Sequence, residues 1–143
     1  MVKKHLIQQV SMFTENRPGR LAAFAQAMEE SGIDIYAFSI AEADGFGVIR
    51  ALVSDPTKAC ERLTDLGFMV KITDVIAVRM KDRPGGLREV ADVLGRAEIN
   101  IDYSYAYSSK HGAVLILRVD KAEDAVRSLK ESGVPLLESA EVH

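Results

Sequence analysis

An α+β fold built twice from one β-α-β-β-α-β unit is what this 143-residue sequence predicts, on two observations. The first is an internal repeat. Asn16-Arg17-Pro18-Gly19-Arg20-Leu21 returns 66 residues later as Asp82-Arg83-Pro84-Gly85-Gly86-Leu87. The same offset carries Ile33-Asp34-Ile35 onto Ile99-Asn100-Ile101, Leu63 onto Leu129 and Gly67 onto Gly133. A duplication held in register means that one supersecondary unit occurs twice, so any site should occur in two copies that are free to diverge. The second observation is the order of β-prone runs and helical spacings inside each copy.

Taken in order, residues 5 to 13 form an apolar, β-prone run that ends at the Asn-Arg-Pro-Gly turn. Leu21, Phe24, Ala25 and Met28 then recur at helical spacing, as do Leu87, Val90, Ala91 and Leu94, with Gly32 stopping the first helix. Strands are predicted over 34–43 and 100–108, turns at Asp44-Gly45 and Lys110-His111-Gly112, and strands again over 48–53 and 114–119. Asp55-Pro56 opens the next helix of the first copy, and Asp120 with Glu123 resembles a capping box in the second. Gly67 and Gly133 stand where those helices should stop, and last strands are expected over 68–72 and 135–139, with 74–80 opening the second copy. This order gives a four-stranded antiparallel sheet with both helices on one face, the ferredoxin-like plan, in two units spanning 1–73 and 74–143. Units of this size have little core of their own, so they are expected to pack together, either by joining sheet edges or by stacking faces.

Composition excludes several classes of function. A net charge of −3 does not suit a large nucleic-acid footprint. No apolar run is long enough to span a bilayer, and the basic start at Lys3-Lys4 is not followed by a signal-peptide core. One cysteine cannot form an internal disulfide, which suits a cytoplasmic setting. Cys60 sits beside the apolar Ala59/Leu63 positions and reads as a small core residue, and His5, His111 and His143 read as scattered surface residues. No metal site, cofactor-binding motif, phosphate loop, nucleophile elbow or acid/base pair is present in the sequence, so no enzyme activity and no cofactor are expected.

The Asx-Arg-Pro-Gly turn carries the candidate chemistry. Proline sets φ, glycine clears the mouth of the turn, and the first N–H groups of the following helix favour an anion such as a carboxylate. Asn16 or Asp82 beside them can accept from an ammonium, so the turn offers partners to both ends of an α-amino acid. The alternative is that Asn16 and Asp82 simply cap their own helices.

Strand, Asx-Arg-Pro-Gly-x-Leu, helix and Ile-Asx-Ile at the next strand together resemble the ACT domain, a small regulatory module that binds amino acids. The resemblance occurs twice, spans nearly the whole chain, and is to tandem ACT proteins without an attached catalytic domain. It implies that an amino acid binds at the interface between two ACT units. The first site would use Asn16, Arg17, Pro18, Gly19, Arg20 and Leu21, and the second Asp82, Arg83, Pro84, Gly85, Gly86 and Leu87. The opposing walls would come from Asp34, Ile35 and Tyr36 and from Asn100, Ile101 and Asp102. The copies differ in charge at Asn16/Asp82 and in Arg20/Gly86. Asp82 favours an ammonium, and Arg20 a carboxylate or phosphate.

Tyr103, Tyr105 and Tyr107 alternate along one strand face, whereas the repeat places Ala37, Ser39 and Ala41 there in the first copy. A bulge that shifts one register and a Tyr stripe packing on a small-residue face are both open explanations, as are ordinary strand packing and an aromatic wall beside a ligand. The expected protein is a non-catalytic amino-acid sensor, a homodimer that signals to an enzyme or regulator. The alternative is a regulatory subunit that controls a partner enzyme with little ligand binding of its own. An acylphosphatase-like hydrolase and an RNA-binding sheet fit less well, since the loop is not glycine-rich and the charge is acidic.

Overall fold

The computed structural model describes residues 2–110 and 112–143, so His111 and its place in the second hairpin turn lie outside the described residues. The chain divides into two units, Gln8–Thr73 and Asp74–His143, the latter including the first residues through Ile7.

In the first unit β1 (Ile7–Glu15), α1 (Arg20–Glu30), β2 (Ile35–Ala43), β3 (Phe46–Val53), α2 (Pro56–Asp65) and the start of β4 (Met69–Met80) follow one another. The strands lie in the order β2-β3-β1-β4. β1 runs antiparallel to β3 with Glu15 opposite Phe46, and β2 antiparallel to β3 with Ile35 opposite Val53. Val10, Met12, Ile49 and Ala51 form the core with Phe24 and Met28 of α1 and Leu63 of α2. Asp55 caps α2 by accepting from the Lys58 N–H at 3.0 Å, with Pro56 in the first turn where its missing N–H costs nothing.

The second unit repeats the plan with the rest of β4, then α3 (Gly86–Arg96), β5 (Ile101–Ser109), β6 (Gly112–Val119) and α4 (Ala122–Glu131). Its strands lie in the order β4-β6-β5. Ile76, Val78, Leu115 and Leu117 pack with Val90 and Leu94 of α3 and Leu129 of α4. The two strands expected over 68–72 and 74–80 are thus one continuous strand of 12 residues.

Several expectations are corrected. The strand expected over 135–139 is reduced to one bridge, Val78 with Leu136. Pro135 has no N–H to give to a ladder. Its carbonyl accepts from Arg79 N and Leu137 N donates to Ala77, both at 2.9 Å. The chain then closes into a single 3-10 turn, Ser139–Glu141, held by reciprocal bonds between Glu138 and Glu141. Asp120 does not cap α4, whose N-cap is Lys121 without a side-chain bond. The Asp120 carboxylate accepts instead from Asn100 N at 3.0 Å, as Ser54 Oγ accepts from Asp34 N at 2.9 Å in the first unit. The buried stripe of α1 is Phe24, Ala27 and Met28, and that of α3 includes Val90, Val93 and Leu94; Leu21 and Leu87 stay 36% and 58% exposed. His5 is buried, not on the surface, and its Nδ1 lies 3.4 Å from the Leu137 carbonyl.

The tyrosine parity has a definite geometry. Tyr103, Tyr105 and Tyr107 lie opposite Arg118, Ile116 and Val114, on the sheet face away from the unit's helices. A bulge falls between Ile101 and Tyr103, and the same bulge falls between Ile35 and Ala37. Both copies share one register, so a register shift does not explain the exchange of large and small residues. Tyr107 donates its hydroxyl to the Val142 carbonyl, and burial pushes its pKa up to about 12.

Two outcomes test this packing. With the folded pKa of Tyr107 raised, its neutral form supports the fold fully below the ordinary tyrosine pKa of 10.0, and that support is lost as pH climbs toward about 12. Denaturant midpoints of the native protein should fall more steeply over that alkaline range than those of Tyr107→Phe, which should also lose about 1 kcal/mol at neutral pH with its hydrogen bond. Glu98, at the position of Gly32, holds φ at 58°. Glu98→Gly should therefore raise stability by about 1 kcal/mol in urea unfolding.

Candidate functional site

Each Arg-Pro-Gly sequence forms a type II turn. In the first unit Arg20 N donates to the Arg17 carbonyl at 3.4 Å, Pro18 holds the second position, and Gly19 takes the third with φ 92° and ψ −9°. In the second, Gly86 N donates to the Arg83 carbonyl at 2.9 Å, and Gly85 takes φ 92° and ψ −12°. The same glycines are the N-caps of α1 and α3, their carbonyls accepting from Ala23 N and Glu89 N at 3.0 Å. Asn16 and Asp82 therefore do not cap these helices, and their side chains have no hydrogen-bond partner among the described residues. The N–H groups of Leu21 and Ala22, and of Leu87 and Arg88, precede the first intrahelical bond. Each turn mouth thus combines free backbone donors, a free Asx side chain and an exposed leucine.

The other predicted residues are placed as follows. Arg17 pairs with Glu15 at 3.5 Å, and Arg83 with Glu89 at 3.0 Å, all exposed. Asp34 and Asn100 are exposed ahead of β2 and β5, and Asn100 Nδ2 donates to Asp102 at 3.2 Å. Ile35 and Ile101 pack on the two cores and Tyr36 is half-buried. Within one unit these residues do not meet the turn. Glu15, before the turn, lies opposite Phe46 at one end of β3, and Ile35 lies opposite Val53 at the other. Eight residues of strand separate them, roughly 25 Å.

Arg20 points out of the turn mouth. Its guanidinium lies 5.7 Å from the centroid of the Phe68 ring, and its Nε is buried without a partner. At the matching position, a Cβ on Gly86 would come within 1.9 Å of the Lys81 carbonyl, so glycine is required there by the path of the chain. Two features escaped the sequence reading. The hairpin carbonyl of Gly45 accepts from Asn16 N at 2.9 Å and anchors the first turn. Arg20 and Phe68 are partners, a pairing signalled only by their joint replacement at Gly86 and Val134.

A duplicated βαββαβ unit with matched Asx-Arg-Pro-Gly turns defines a class of small tandem modules. The family model described as an ACT domain pair matches residues 5–141, and the chain belongs to that family. Two ACT units take up this stretch and leave none of it for a catalytic domain. The crystal structure of protein BT0572 from Bacteroides thetaiotaomicron is similar at 33% identity over 96% of each chain, with a TM-score of 0.90. The fold is also that of the aspartate kinase regulatory subunit from Thermus thermophilus, at 17% identity over 90% of this chain and 95% of that one, TM-score 0.64. A similar subunit from Thermus flavus matches at 16% identity over 88% and 92%, TM-score 0.58. Among curated proteins none matches. No helix among the described residues is long and apolar enough to cross a membrane.

The turn geometry has a testable cost. A Cβ on Gly19 would meet nothing within 4 Å, so Gly19→Ala should lose about 1–2 kcal/mol from backbone strain alone. Gly95→Ala, inside α3 with equal space, should shift urea stability the opposite way by about 1 kcal/mol.

Proposed function

We propose that this protein is a non-catalytic, amino-acid-binding regulator whose ligand is held at the Asx-Arg-Pro-Gly turns, against the second strand of a neighbouring ACT unit. The observation that carries the reading is the free Asx side chain beside unpaired helix N–H groups, present in both copies. A carboxylate suits the N–H groups and an ammonium suits Asn16 or Asp82. The residues of the opposing wall lie at the far end of the same unit's sheet, so a complete site needs a second unit. β2 is an edge strand. Antiparallel pairing of β2 with β2 of another copy carries the strand start of one copy to the turn end of the other, which is why a homodimer belongs to this reading. Binding acts by differential affinity for two arrangements of the units, and an enzyme or regulator in the cytoplasm receives the signal.

A second reading, a regulatory subunit that mainly docks on a partner enzyme, is favoured by apolar residues left open on β2. Phe38 and Ile40 are 48% and 47% exposed. The similar Thermus proteins are named as regulatory subunits of aspartate kinase.

A thermal-shift screen of dialysed protein against the proteinogenic amino acids separates the two. One or two amino acids should raise the midpoint, by roughly 2.7 kcal/mol of stabilisation at a hundred times the dissociation constant. Asn16→Ala or Asp82→Ala should abolish the shift at its own copy. A flat screen at millimolar ligand removes the sensor reading and leaves the docking one.

A further inference from the structure

Each unit has a groove beside its turn, framed by the end of its first strand, the start of its first helix, and the segment after its second helix. In the first unit this groove is about 370 Å³ and Arg20 lies along it against Phe68. In the second unit the groove covers the matching positions, with Gly86 in place of Arg20 and Val134 in place of Phe68, continues along α3 to Arg96, and is about 580 Å³. A volume of that order accommodates a small molecule.

The charges around the larger groove are uneven. Its acids are occupied: Glu89 pairs with Lys81 at 3.5 Å and Arg83 at 3.0 Å, and Asp92 with Arg88 at 3.3 Å. Arg79 and Arg96, which line it, have no ion-pair or hydrogen-bond partner for their guanidinium groups among the described residues. Val90, Val93 and Val134 supply apolar lining to the same groove. Two guanidinium groups without partners among the described residues, in a groove that also has aliphatic lining, suit a carboxylate with a short apolar body.

We propose that the groove between α3 and the Ser132–Pro135 segment is a second binding site, for a small aliphatic carboxylate, and that only the second unit has it. In the first unit Arg20 lies along the corresponding groove against Phe68, and Phe13 and Glu30 stand where the second unit has Arg79 and Arg96, so the guanidinium pair is absent there. The groove shares Gly86 with the second turn, but neither Asx side chain lines it.

The test is calorimetric titration of the full chain with isovalerate and with succinate, beside isoamyl alcohol and inorganic phosphate. At least one carboxylate should bind saturably, and the alcohol and phosphate should not. Arg79→Gln and Arg96→Gln, both at exposed positions that leave the core intact, should each weaken binding about tenfold or more. Val134→Phe, which restores the first unit's residue, should abolish it, and the arginine variants decide alone if that protein does not fold. Asn16→Ala and Asp82→Ala should leave carboxylate binding unchanged, so failure here is distinguishable from failure at the turns. No saturation at tens of millimolar, equal binding of phosphate, indifference to both arginine variants, or loss in the Asx variants overturns the proposal.

Discussion

The left-handed glycine in each Arg-Pro-Gly turn is the constraint on which the site geometry depends. At φ 92° the chain reverses in four residues and enters the helix without a side-chain cap. An Asx cap would have consumed the very acceptor that Asn16 and Asp82 keep free. Because glycine does the capping by backbone alone, the helix donors and the Asx side chain face solvent together. The antiparallel register then places this cluster at one end of the sheet and the start of the second strand at the other. Within one unit the turn and the start of the second strand are therefore kept apart.

Much of this was legible in the residues. The repeat, the Pro-Gly turn chemistry, the Asp55-Pro56 helix start and the glycines at 67 and 133 each rest on a local rule, and the structure follows them. What failed depended on choices that a local pattern leaves open. Asp120 had two donors to choose between, its own helix and Asn100, and the loop ahead of β5 won. Leu21 and Leu87 match the helical period but sit one turn before the core begins. The 135–139 strand failed because Pro135 withholds an N–H and the chain turns into Ser139–Glu141. The Arg20–Phe68 pairing was out of reach, since it joins residues 48 positions apart on elements whose packing the sequence does not state.

Duplication explains where the copies were free to diverge. The positions that fix the backbone, Pro18/Pro84 and Gly19/Gly85, are unchanged, and so is the bulge at the start of the second strand. Core positions change type but stay apolar, as at Phe24/Val90 and Met28/Leu94, while the changes of chemical character around the turns fall at Asn16/Asp82, Arg20/Gly86 and Phe68/Val134. One plan thus presents two unlike grooves, with a guanidinium against Phe68 in the first and Gly86 and Val134 at those positions in the second. The tyrosine exchange is of the same kind: both strands share a register, and the large residues stand at 36, 38 and 40 in the first copy but at 103, 105 and 107 in the second.

The proposal to be tested first is an amino acid held at the turns. Amide chemical-shift mapping of the labelled protein, titrated with an amino acid that stabilises it, tests this most directly. An amino acid at the turns should give the largest shifts at Leu21 and Ala22 or at Leu87 and Arg88, together with residues 34–36 or 100–102. Shifts confined to other surfaces, with the helix-start amides unmoved, would contradict it.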